Sequence, residues 1–401
     1  MLALEEARDR LLAAIQPLPP ESVALPLASG RYLADSVRAA NHLPPFDNSA
    51  MDGYAVLASD VAQASSTSPV TLRCIGETAA GQFPGGGMIA GQCWRLFTGS
   101  PLPDGADAVV MQEDTRPVDG QPQAVQVMDA VRPWENVRFR GEDVKAGATI
   151  AEAGARLDFG HLALLAATGV SEVTVVRRPV IGVISTGSEL VEPGGALQPG
   201  QIYESNRRAI EVLVQRAGGV PRSYPVVPDD LKLTQEIFAM AFRECDAVVS
   251  SGGVSVGAHD HVKSAVEALG GRLDFWKVAI RPGKPFTFGH VDGRQFFGLP
   301  GNPVSAVVTF LLLVRPALIR MQGGVDVQLP VSFGVLAEPV TNRGNRRHFV
   351  RVRLDSRGRV RLSGLQGSHV MSSLAGANGL LDMPPEAHWE EGRMTEVIRI
   401  D

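Results

Sequence analysis

The stretch "DAVVSSGGVSVGAHDHV", residues 246–262, predicts a buried strand followed by a glycine-rich loop and the first turn of a helix. Glycine lacks a Cβ atom, so the three glycines of this loop let the backbone lie close against a ligand. Backbone N–H groups ahead of a helix form a ready site for an anion. The loop matches neither the dinucleotide-binding pattern GxGxxG nor the P-loop pattern. Asp260 has two interpretations at this point, a helix N-cap or a functional acid.

Strands and helices alternate around this stretch, from residue 179 to residue 321. Apolar runs predict strands at 180–186, 220–227 and 246–251, and the segments between them predict helices. We expect Asn206 to cap one helix, and a single long helix over 303–321. The alternation is typical of a doubly wound α/β domain with a parallel sheet. Ligands bind such sheets beyond the carboxyl ends of the strands, where "STGSEL" (185–190) and "LPGNPVSA" (299–306) lie.

The segments on either side of the α/β part are rich in predicted β-structure. Short β-type runs punctuated by glycine and proline fill residues 45–145 and 327–401. Two further helices are predicted, one at 4–15 and one at 157–170 with Asp158 as its N-cap. The predicted fold class is therefore α/β plus β in a multidomain chain.

Composition narrows the class of protein. The 401 residues have a net charge of −5, with 44% hydrophobic and 20% charged residues, which is ordinary for a soluble protein and gives no support to nucleic-acid binding. The longest apolar run, at 306–314, is too short to span a bilayer. The first 15 residues resemble neither a signal nor a transit peptide. We expect a cytoplasmic protein without a membrane or nucleic-acid partner.

Two groups of residues need a more specific interpretation. Cys74, Cys93 and Cys245 are far apart and lack ligand spacing, so they are expected to be reduced thiols and not a disulfide framework or a zinc site. The stretch "RGNRRHFVRVRL" (343–354) has two interpretations, a local basic patch or a solvated strand face.

Charged side chains near prolines and glycines suggest a site for anions. "WKVAIRPGKPFTFG" (276–289) places three cations, Lys277, Arg281 and Lys284, around a proline-stiffened turn, which is typical of a receptor for phosphate or another oxyanion. "PPFDNSAMDGYAV" (44–56) and "RFRGEDVKAG" (138–147) add acids that would serve Mg²⁺ or polarise water near a phosphate.

Seven strings occur in an order that closely resembles the molybdopterin molybdenumtransferase family, called MoeA in bacteria and represented by the gephyrin E domain in animals. The strings are "DNSAMDGYAV", "TGSPLPDGADAVVMQED", "RGED", "STGSEL", "SSGGVSVGAHD", "RPGKPFTFG" and "GLPGNPVSA". The resemblance covers essentially the whole chain. It implies an elongated subunit that forms a homodimer and has four domains: an α/β substrate-binding domain (1–20 and 178–326), a connecting domain (21–45 and 146–177), a β-rich lid domain (46–145) and a C-terminal β domain (327–401).

The activity that the resemblance implies is insertion of molybdate into adenylylated molybdopterin, with release of AMP and a requirement for Mg²⁺. The molybdopterin adenylyltransferase is then an expected partner. By resemblance, the phosphates of the pterin nucleotide contact Thr186, Gly252, Gly253, Ser255 and Gly257. The acids assigned to catalysis are Asp260, Asp229, Glu189, Asp52 and Asp143, and the first three of these would also hold the metal.

The remaining assignments concern the walls of the cleft. By resemblance, four residues of the lid domain complete the cleft: Asp52, Thr98, Arg138 and Asp143. This lid is expected to come from the partner subunit of the dimer. The residues assigned to phosphate and molybdate are Lys277, Arg281 and Lys284, followed by Arg346, Arg351 and Ser368 in the C-terminal domain. Pro300 and Pro303 shape the wall.

Two other functions remain open from the sequence. One is an α/β protein that adenylylates molybdopterin, although the long lid and "DNSAMDGYA" do not fit an enzyme that resembles only the α/β part. The other is a scaffold, for which the sequence offers no linker or fused partner domain. The sequence does not choose between molybdate and tungstate, between metals, or among the acids for the chemical step.

Overall fold

The computed structural model describes residues 1–252 and 261–401, with the side chains of all of these except Phe275 and Trp276. Within these residues the α-helices, numbered along the chain, are α1 Leu4–Ala13, α2 Phe159–Ala167, α3 Asn206–Arg216, α4 Leu231–Glu244, α5 His261–Ala268, α6 Pro303–Thr309, α7 Arg315–Met321 and α8 Met371–Ala375. Each helix predicted from the sequence is found, with ends that differ by a few residues.

The strands are numbered in the same way. Those before the α/β part are β1 Pro20–Ala24, β2 Val37–Arg38, β3 Asn48–Ser49, β4 Gly53–Val56, β5 Val70–Thr78, β6 Gln92–Leu96, β7 Ala108–Met111, β8 Thr115–Val118, β9 Gln121–Val127, β10 Val137–Arg138, β11 Thr149–Ala151 and β12 Glu172–Val176. Those of the α/β part are β13 Val180–Ser185, β14 Leu190–Val191, β15 Ile202–Tyr203, β16 Val220–Ser223, β17 Ala247–Ser251, β18 Arg272–Lys277, β19 Ile280–Arg281, β20 Pro285–Val291 and β21 Arg294–Leu299. The last are β22 Val331–Leu336, β23 Val340–Thr341, β24 Arg347–Leu354, β25 Arg359–Leu362, β26 Gly379–Met383, β27 His388–Trp389 and β28 Met394–Arg399.

The sheet of the α/β domain has the strand order β16-β13-β17-β21-β20-β18. The first four strands are parallel, as the sequence predicts, but β20 and β18 are antiparallel to their neighbours. The prediction of a wholly parallel sheet is wrong at this edge. Only two residues, Asp292 and Gly293, connect β20 to β21, and their φ angles are 49° and 77°. A two-residue turn of this kind joins antiparallel strands.

Apolar cores cover both faces of this sheet. On one face α1, α3 and the segment 303–321 bury side chains such as Leu11, Ile210 and Phe310. On the other face α4 and α5 bury Phe238 and Val266. Fully burying one such side chain stabilises the fold by about 1.5–3 kcal/mol. The two helical layers therefore hold the strand ends in place.

Residues 303–321 form one helical segment in which a π-helical turn, Phe310–Val314, separates α6 from α7. The single α-helix predicted here is wrong in this detail. Pro316 has no N–H to donate to a carbonyl four residues earlier, a common cause of altered helix winding. By length and composition, Pro303–Met321 is the one helix among the described residues that would suffice to cross a membrane, but 89% of the window tested is buried within the molecule.

The connecting and lid domains are mainly antiparallel. β1 pairs with β12, and β2 pairs with β11. Asp158 caps α2 as predicted, because its carboxylate accepts the His161 N–H at 3.1 Å. The lid sheet has the order β7-β4-β6-β5-β9-β8 around a core that includes Val56, Leu72 and Val110. Its β5 and β6 are parallel neighbours.

The C-terminal domain is a small closed sheet joined to the α/β domain. β24, β25, β22, β28 and β26 follow one another, and β26 pairs back onto β24. The short strand β19 of the α/β domain adds to β24 in parallel, with Ile280 opposite Arg347 and Arg281 opposite His348. This pairing fixes the orientation of the two domains at the place where the predicted cations lie.

Candidate functional site

The floor of the site is formed where β13 and β17 end. The Thr186 N–H donates to the Ser251 carbonyl at 3.1 Å, which holds the two strand ends together. Gly252 has a φ of +85°, and a Cβ atom there would lie 2.6 Å from the Thr186 carbonyl oxygen. Only glycine fits this position, because a side chain would meet both an unfavourable backbone conformation and a backbone atom.

Two of the predicted acids lie on neighbouring loops beside this floor, Glu189 after β13 and Asp229 after β16. The Ser188 N–H donates to Asp229 Oδ2 at 3.3 Å, and the Ser188 hydroxyl accepts the Asp229 N–H at 2.9 Å. The Glu189 carboxylate folds back over Gly187, where a Cβ atom would lie 2.5 Å from Glu189 Oε2. Both carboxylates are exposed to solvent. The structure therefore brings Asp229 and Glu189 together at the carboxyl edge of the sheet.

A buried polar network lies under the floor. Glu204 is only 2% exposed. Its Oε1 accepts the Ser185 hydroxyl at 3.0 Å and the Arg207 N–H at 2.8 Å. The Ser185 and Ser251 hydroxyls lie 3.2 Å apart. The ends of β13 and β17 are thus tied to the start of α3, and no motif in the sequence indicated Glu204.

The turn "LPGNP" forms the wall next to the floor. A Cβ atom on Gly301 would lie 3.9 Å from the Gly252 Cα atom. Pro300 is buried and Pro303 occupies the first turn of α6. The Asn206 amide donates to the Gly301 carbonyl at 2.7 Å. The prediction that Asn206 caps α3 is therefore wrong, because Asn206 is the first helical residue and its side chain bonds to this turn.

The same turn contacts the C-terminal domain. Asn302 Nδ2 donates to Ser368 Oγ at 3.2 Å. The Val304 N–H donates to the Ser368 carbonyl at 3.1 Å. Ser368, predicted to contact molybdate, thus lies against the wall of the α/β site.

A group of cations lies where the two domains meet. Arg281 is placed beside His348 by the pairing of β19 with β24. Arg346 Nη1 donates to the Ile280 carbonyl at 2.8 Å. Arg351 is fully buried. The Arg351 guanidinium donates to the Ser373 hydroxyl at 3.1 Å and to the Leu365 and Gly367 carbonyls at 3.0 and 3.1 Å.

The positive charge of this group is not balanced. Arg351 Nη1 and both ring nitrogens of His348 are buried and have no hydrogen-bond partner among the residues that the structure describes. Burial, and secondarily the charge of Arg281, lowers the pKa of Arg351 to about 10. Burial, together with Arg281, Arg351 and Arg346, lowers the pKa of His348 to about 4. One buried guanidinium with a free donor, next to the exposed Arg281 and the half-buried Arg346, suits an anion-binding site.

The two predicted lysines lie at the edge of this group. Lys277 ends β18, and Lys284 lies in the turn that follows β19. The Val278 N–H donates to the Lys284 carbonyl at 2.9 Å, which closes the turn. Both side chains are exposed. They add positive charge at the rim and not at the buried centre.

The lid residues form a separate group. Asp52 Oδ1 accepts both the backbone N–H and the hydroxyl of Thr98, at 2.7 and 2.8 Å. These two hydrogen bonds lower the pKa of Asp52 below its usual value. Arg138, in β10, pairs with β3. The Asp143 N–H donates to the Leu43 carbonyl at 3.1 Å. All four side chains are exposed.

Among the described residues, the lid makes no hydrogen bond or ion pair with the α/β site of its own chain. Across the described parts of the chain, the hydrogen bonds and ion pairs of residues 46–145 stay within the lid or reach the adjoining connecting domain. The predicted site residues therefore form three groups: the turn around Thr186, the cations near Arg351, and the lid. The turn "LPGNP" links the first two.

Four predicted site residues lie outside the ranges that the structure describes. Other residues make contacts near the site that no sequence motif had indicated. Gly253, Ser255, Gly257 and Asp260 fall in 253–260, which the structure does not describe. His348 lies in the stretch 343–354 noted for its basic residues. A solvated strand face was one of the two interpretations of that stretch, and it is wrong for Arg351 because this side chain is fully buried. Ser373 and Asn302 were not predicted, because their partners are distant in sequence.

The chain matches three family descriptions in succession. Residues 2–169 match the MoeA N-terminal region (domain I and II). Residues 182–320 match a probable molybdopterin binding domain. Residues 334–400 match the MoeA C-terminal region (domain IV). The three matched regions follow one another along the chain, and the second and third correspond to the α/β domain and the C-terminal domain described above.

Full-length relatives agree with these matches. The chain is 38% identical to the molybdopterin molybdenumtransferase of Haemophilus influenzae, over 96% of this chain and 95% of that protein. It is 34% identical to the molybdopterin molybdenumtransferase of Bacillus subtilis, over 95% and 90% of the two chains. The crystal structure of a molybdopterin biosynthesis MoeA protein from Pyrococcus horikoshii superposes with a TM-score of 0.82 at 34% identity and covers 100% of this chain and 99% of that one. The predicted fold class is confirmed, and the chain belongs to the MoeA family of molybdenum cofactor biosynthesis.

Proposed function

We propose that this transferase inserts molybdate into adenylylated molybdopterin and releases AMP. The observation that supports this reaction best is the buried guanidinium of Arg351, whose Nη1 has no hydrogen-bond partner within residues 1–252 and 261–401. It belongs to the group of cations joined through the turn "LPGNP" to the glycine floor. Two anionic reactants need two anion sites within reach of each other, and this arrangement provides them.

Molybdate is a small tetrahedral dianion, and the cations near Arg351 suit it. The Arg351 Nη1 donor supplies one hydrogen bond, and Arg281 supplies a second charge at the same boundary. Because both carbonyl contacts of Arg351 come from the loop 365–367, the guanidinium is already oriented before an anion binds. Lys277 and Lys284 would attract the dianion from the rim. Tungstate has the same charge and shape as molybdate, so a test of the reaction must compare the two oxyanions.

The nucleotide end of the substrate would lie on the floor formed by Thr186 and Gly252. A Cβ atom at Gly301 would come no closer than 3.9 Å to another described residue, so we expect a phosphate to be able to approach the backbone of this turn. The buried Glu204 network keeps this floor rigid, so little ordering is required when substrate binds.

The acids Asp229 and Glu189 fit a hard divalent cation. Both carboxylates lie on loops joined by the Ser188–Asp229 hydrogen bonds, and Mg²⁺ prefers one or two carboxylates together with substrate phosphates and water. Within residues 1–252 and 261–401 no cluster of three or more metal-ligating side chains is present. Asp260, the third predicted ligand, lies outside these ranges. When bound, Mg²⁺ would offset the charge of the pyrophosphate and activate a water for the release of AMP.

We infer that the active form is a homodimer. The lid residues Asp52 and Thr98 face solvent within one chain and make no described contact with its own α/β site. A second copy would place its lid over this site and add Arg138 and Asp143. We further propose a cytoplasmic location and an adenylyltransferase as the supplier of the substrate, because the substrate must first be joined to AMP.

A mixing assay tests the proposed reaction. The protein is incubated with adenylylated molybdopterin, molybdate or tungstate, and Mg²⁺, and AMP and bound metal are followed together. We expect AMP release and molybdenum incorporation to rise in parallel and to stop after chelation of Mg²⁺. An Asp229→Asn variant should bind substrate but release little AMP. Adenylylation of molybdopterin by ATP, without use of molybdate, would instead support the alternative enzyme and overturn the proposal.

A further inference from the structure

Cys74 and Cys93 are neighbours in the lid although 18 residues lie between them in the sequence. β5 and β6 are parallel, and Cys74 is the register partner of Cys93. Both side chains face the same apolar core of the lid. Neighbouring strands lie about 4.8 Å apart, and a disulfide requires a Cα–Cα distance of roughly 4.4–6.8 Å. The pair therefore satisfies the main geometric requirement for a disulfide.

The backbone beside the pair has a local irregularity. The register of β5 shifts between Cys74 and Gly76. A Cβ atom on Gly76 would lie 2.6 Å from the ring of Trp94, so glycine is needed where the strand bulges. The Cys74 thiol donates to the Gly76 carbonyl at 3.4 Å. The bulge thus holds Cys74 against its partner.

The two thiols differ in exposure and acidity. Cys93 is fully buried, whereas Cys74 is partly exposed. The neighbouring Cys93 thiol lowers the pKa of Cys74 against the opposing effect of burial, and the backbone of Gly76 and Arg95 and the charge of Arg95 lower it further. The same contact and burial raise the pKa of Cys93. A partly exposed thiol that ionises readily is the form that reacts with oxidants.

We propose that Cys74 and Cys93 form an oxidisable dithiol in which hydrogen peroxide attacks Cys74 and Cys93 resolves the product as a disulfide. The Cys74 sulfur takes one oxygen from peroxide, which gives a sulfenic acid and one water. The Cys93 sulfur then attacks the sulfur of Cys74, its proton leaves with the hydroxyl group as a second water, and the S–S bond forms. Peroxide is reduced and the two thiols are oxidised by two electrons. A dithiol reductant then reduces the disulfide back to two thiols by thiol–disulfide exchange and is itself oxidised to a disulfide.

Cys245 provides an internal control. It lies in the α/β domain and is 1% exposed. Its sulfur lies 3.6 Å from the Tyr224 hydroxyl, and burial raises the pKa of its thiol. We expect it to stay reduced at peroxide concentrations that oxidise the pair.

Mass spectrometry of the full chain tests this proposal. Reduced protein is treated with hydrogen peroxide, denatured, and alkylated with N-ethylmaleimide. We expect one alkylated cysteine, Cys245, and a peptide pair joined through Cys74 and Cys93 that dithiothreitol separates. Alkylation of all three cysteines, or a disulfide that includes Cys245, would overturn the proposal.

Two variants separate the roles of the thiols. In Cys93→Ser the sulfenic acid has no resolving thiol, so dimedone should label Cys74. In Cys245→Ser the disulfide should form at the same rate as in the native chain. Absence of dimedone labelling in Cys93→Ser, with retained secondary structure by circular dichroism, would show that Cys74 is not the residue attacked.

Discussion

Asn302 of the α/β domain donates its amide to the Ser368 hydroxyl of the C-terminal domain at 3.2 Å. The turn that contains Asn302 also approaches Gly252 through Gly301, where a Cβ atom would lie 3.9 Å from the Gly252 Cα atom. One turn thus touches the floor of the proposed nucleotide site and the loop next to Arg351. We regard it as the element that sets the distance between the two anion sites.

Removing the Asn302–Ser368 hydrogen bond should weaken the use of molybdate more than the binding of adenylylated molybdopterin. In Asn302→Ala the loop at 365–368 loses a side-chain hydrogen bond, a contribution of about 1 kcal/mol. We expect the KM for molybdate to rise about five-fold while the affinity for adenylylated molybdopterin stays unchanged. Steady-state assays with each reactant varied in turn measure this.

Asn41→Ala is the matched control for that variant. It removes a comparable side-chain hydrogen bond, from Asn41 Nδ2 to the Thr168 carbonyl at 3.3 Å, in the connecting domain. Its kinetics should equal those of the native chain. An equal rise in the KM for molybdate in both variants would refute a specific role for Asn302.

Arg351→Lys tests the geometry of the buried guanidinium. Lysine retains the charge but cannot donate at once to Ser373, Leu365 and Gly367 as Arg351 does. We expect a loss of about 2–4 kcal/mol in the free energy of unfolding, measured in urea, because buried carbonyls lose their donors. Molybdate incorporation should fall at least ten-fold where the protein remains folded.

The neighbouring Arg353→Lys is its control. Arg353 is exposed on the same strand, and its one side-chain hydrogen bond to a described residue is a long one, 3.4 Å, to the Gly376 carbonyl. We expect native stability and activity. If Arg351→Lys behaves like Arg353→Lys, Arg351 is not the centre of an anion site.

His348 should make stability depend on pH. Its pKa is lowered to about 4 in the folded chain by burial and by Arg281, Arg351 and Arg346, whereas an unfolded histidine titrates near 6.5. Between these values the unfolded state binds more protons, so this contribution is complete above about pH 6.5 and is lost as the pH falls towards 4. We expect the titration of His348 to lower the free energy of unfolding by about 2 kcal/mol when the pH falls from 7.5 to 5.

Urea unfolding at the two pH values measures this dependence. In the described part of the chain both ring nitrogens of His348 lack a hydrogen-bond partner, so His348→Phe removes the titration without removing a described hydrogen bond. The variant should lose less stability on acidification than the native chain. An identical slope in both proteins would mean that His348 does not titrate as its surroundings predict.

Complementation between inactive variants tests the shared site. Asp52→Asn disables the lid and Asp229→Asn disables the α/β turn. If each site uses the lid of the other copy, mixed dimers should contain one intact site and recover about a quarter of the native activity after subunit exchange, by random pairing of copies. No recovery, with mixed dimers verified by native mass spectrometry, would assign the lid to its own chain.

The sequence alone predicted much of the fold, because local patterns encode local structure. The alternation of apolar strands with amphipathic helices predicted the α/β domain, and Asp158 was correctly predicted as a helix cap. Predictions were wrong where the position of a side chain or strand depends on a residue distant in the sequence. Asn206 was expected to cap α3, but the carbonyl of Gly301, 95 residues away, takes its amide. The direction of β20 depended on the two-residue turn at Asp292, which was not recognised.

For the site, the sequence determined the kinds of groups and the tertiary structure determined their arrangement. Glycines, acids and cations were all identified from short strings, because each string has the composition that its chemistry requires. The structure alone decided that Arg351 is buried with a donor left free by the described residues, that His348 lies beside Arg281, and that Cys74 lies opposite Cys93. The reason is physical: exposure, charge balance and pairing across strands depend on which distant segments pack together, and residue spacing in one chain does not specify them.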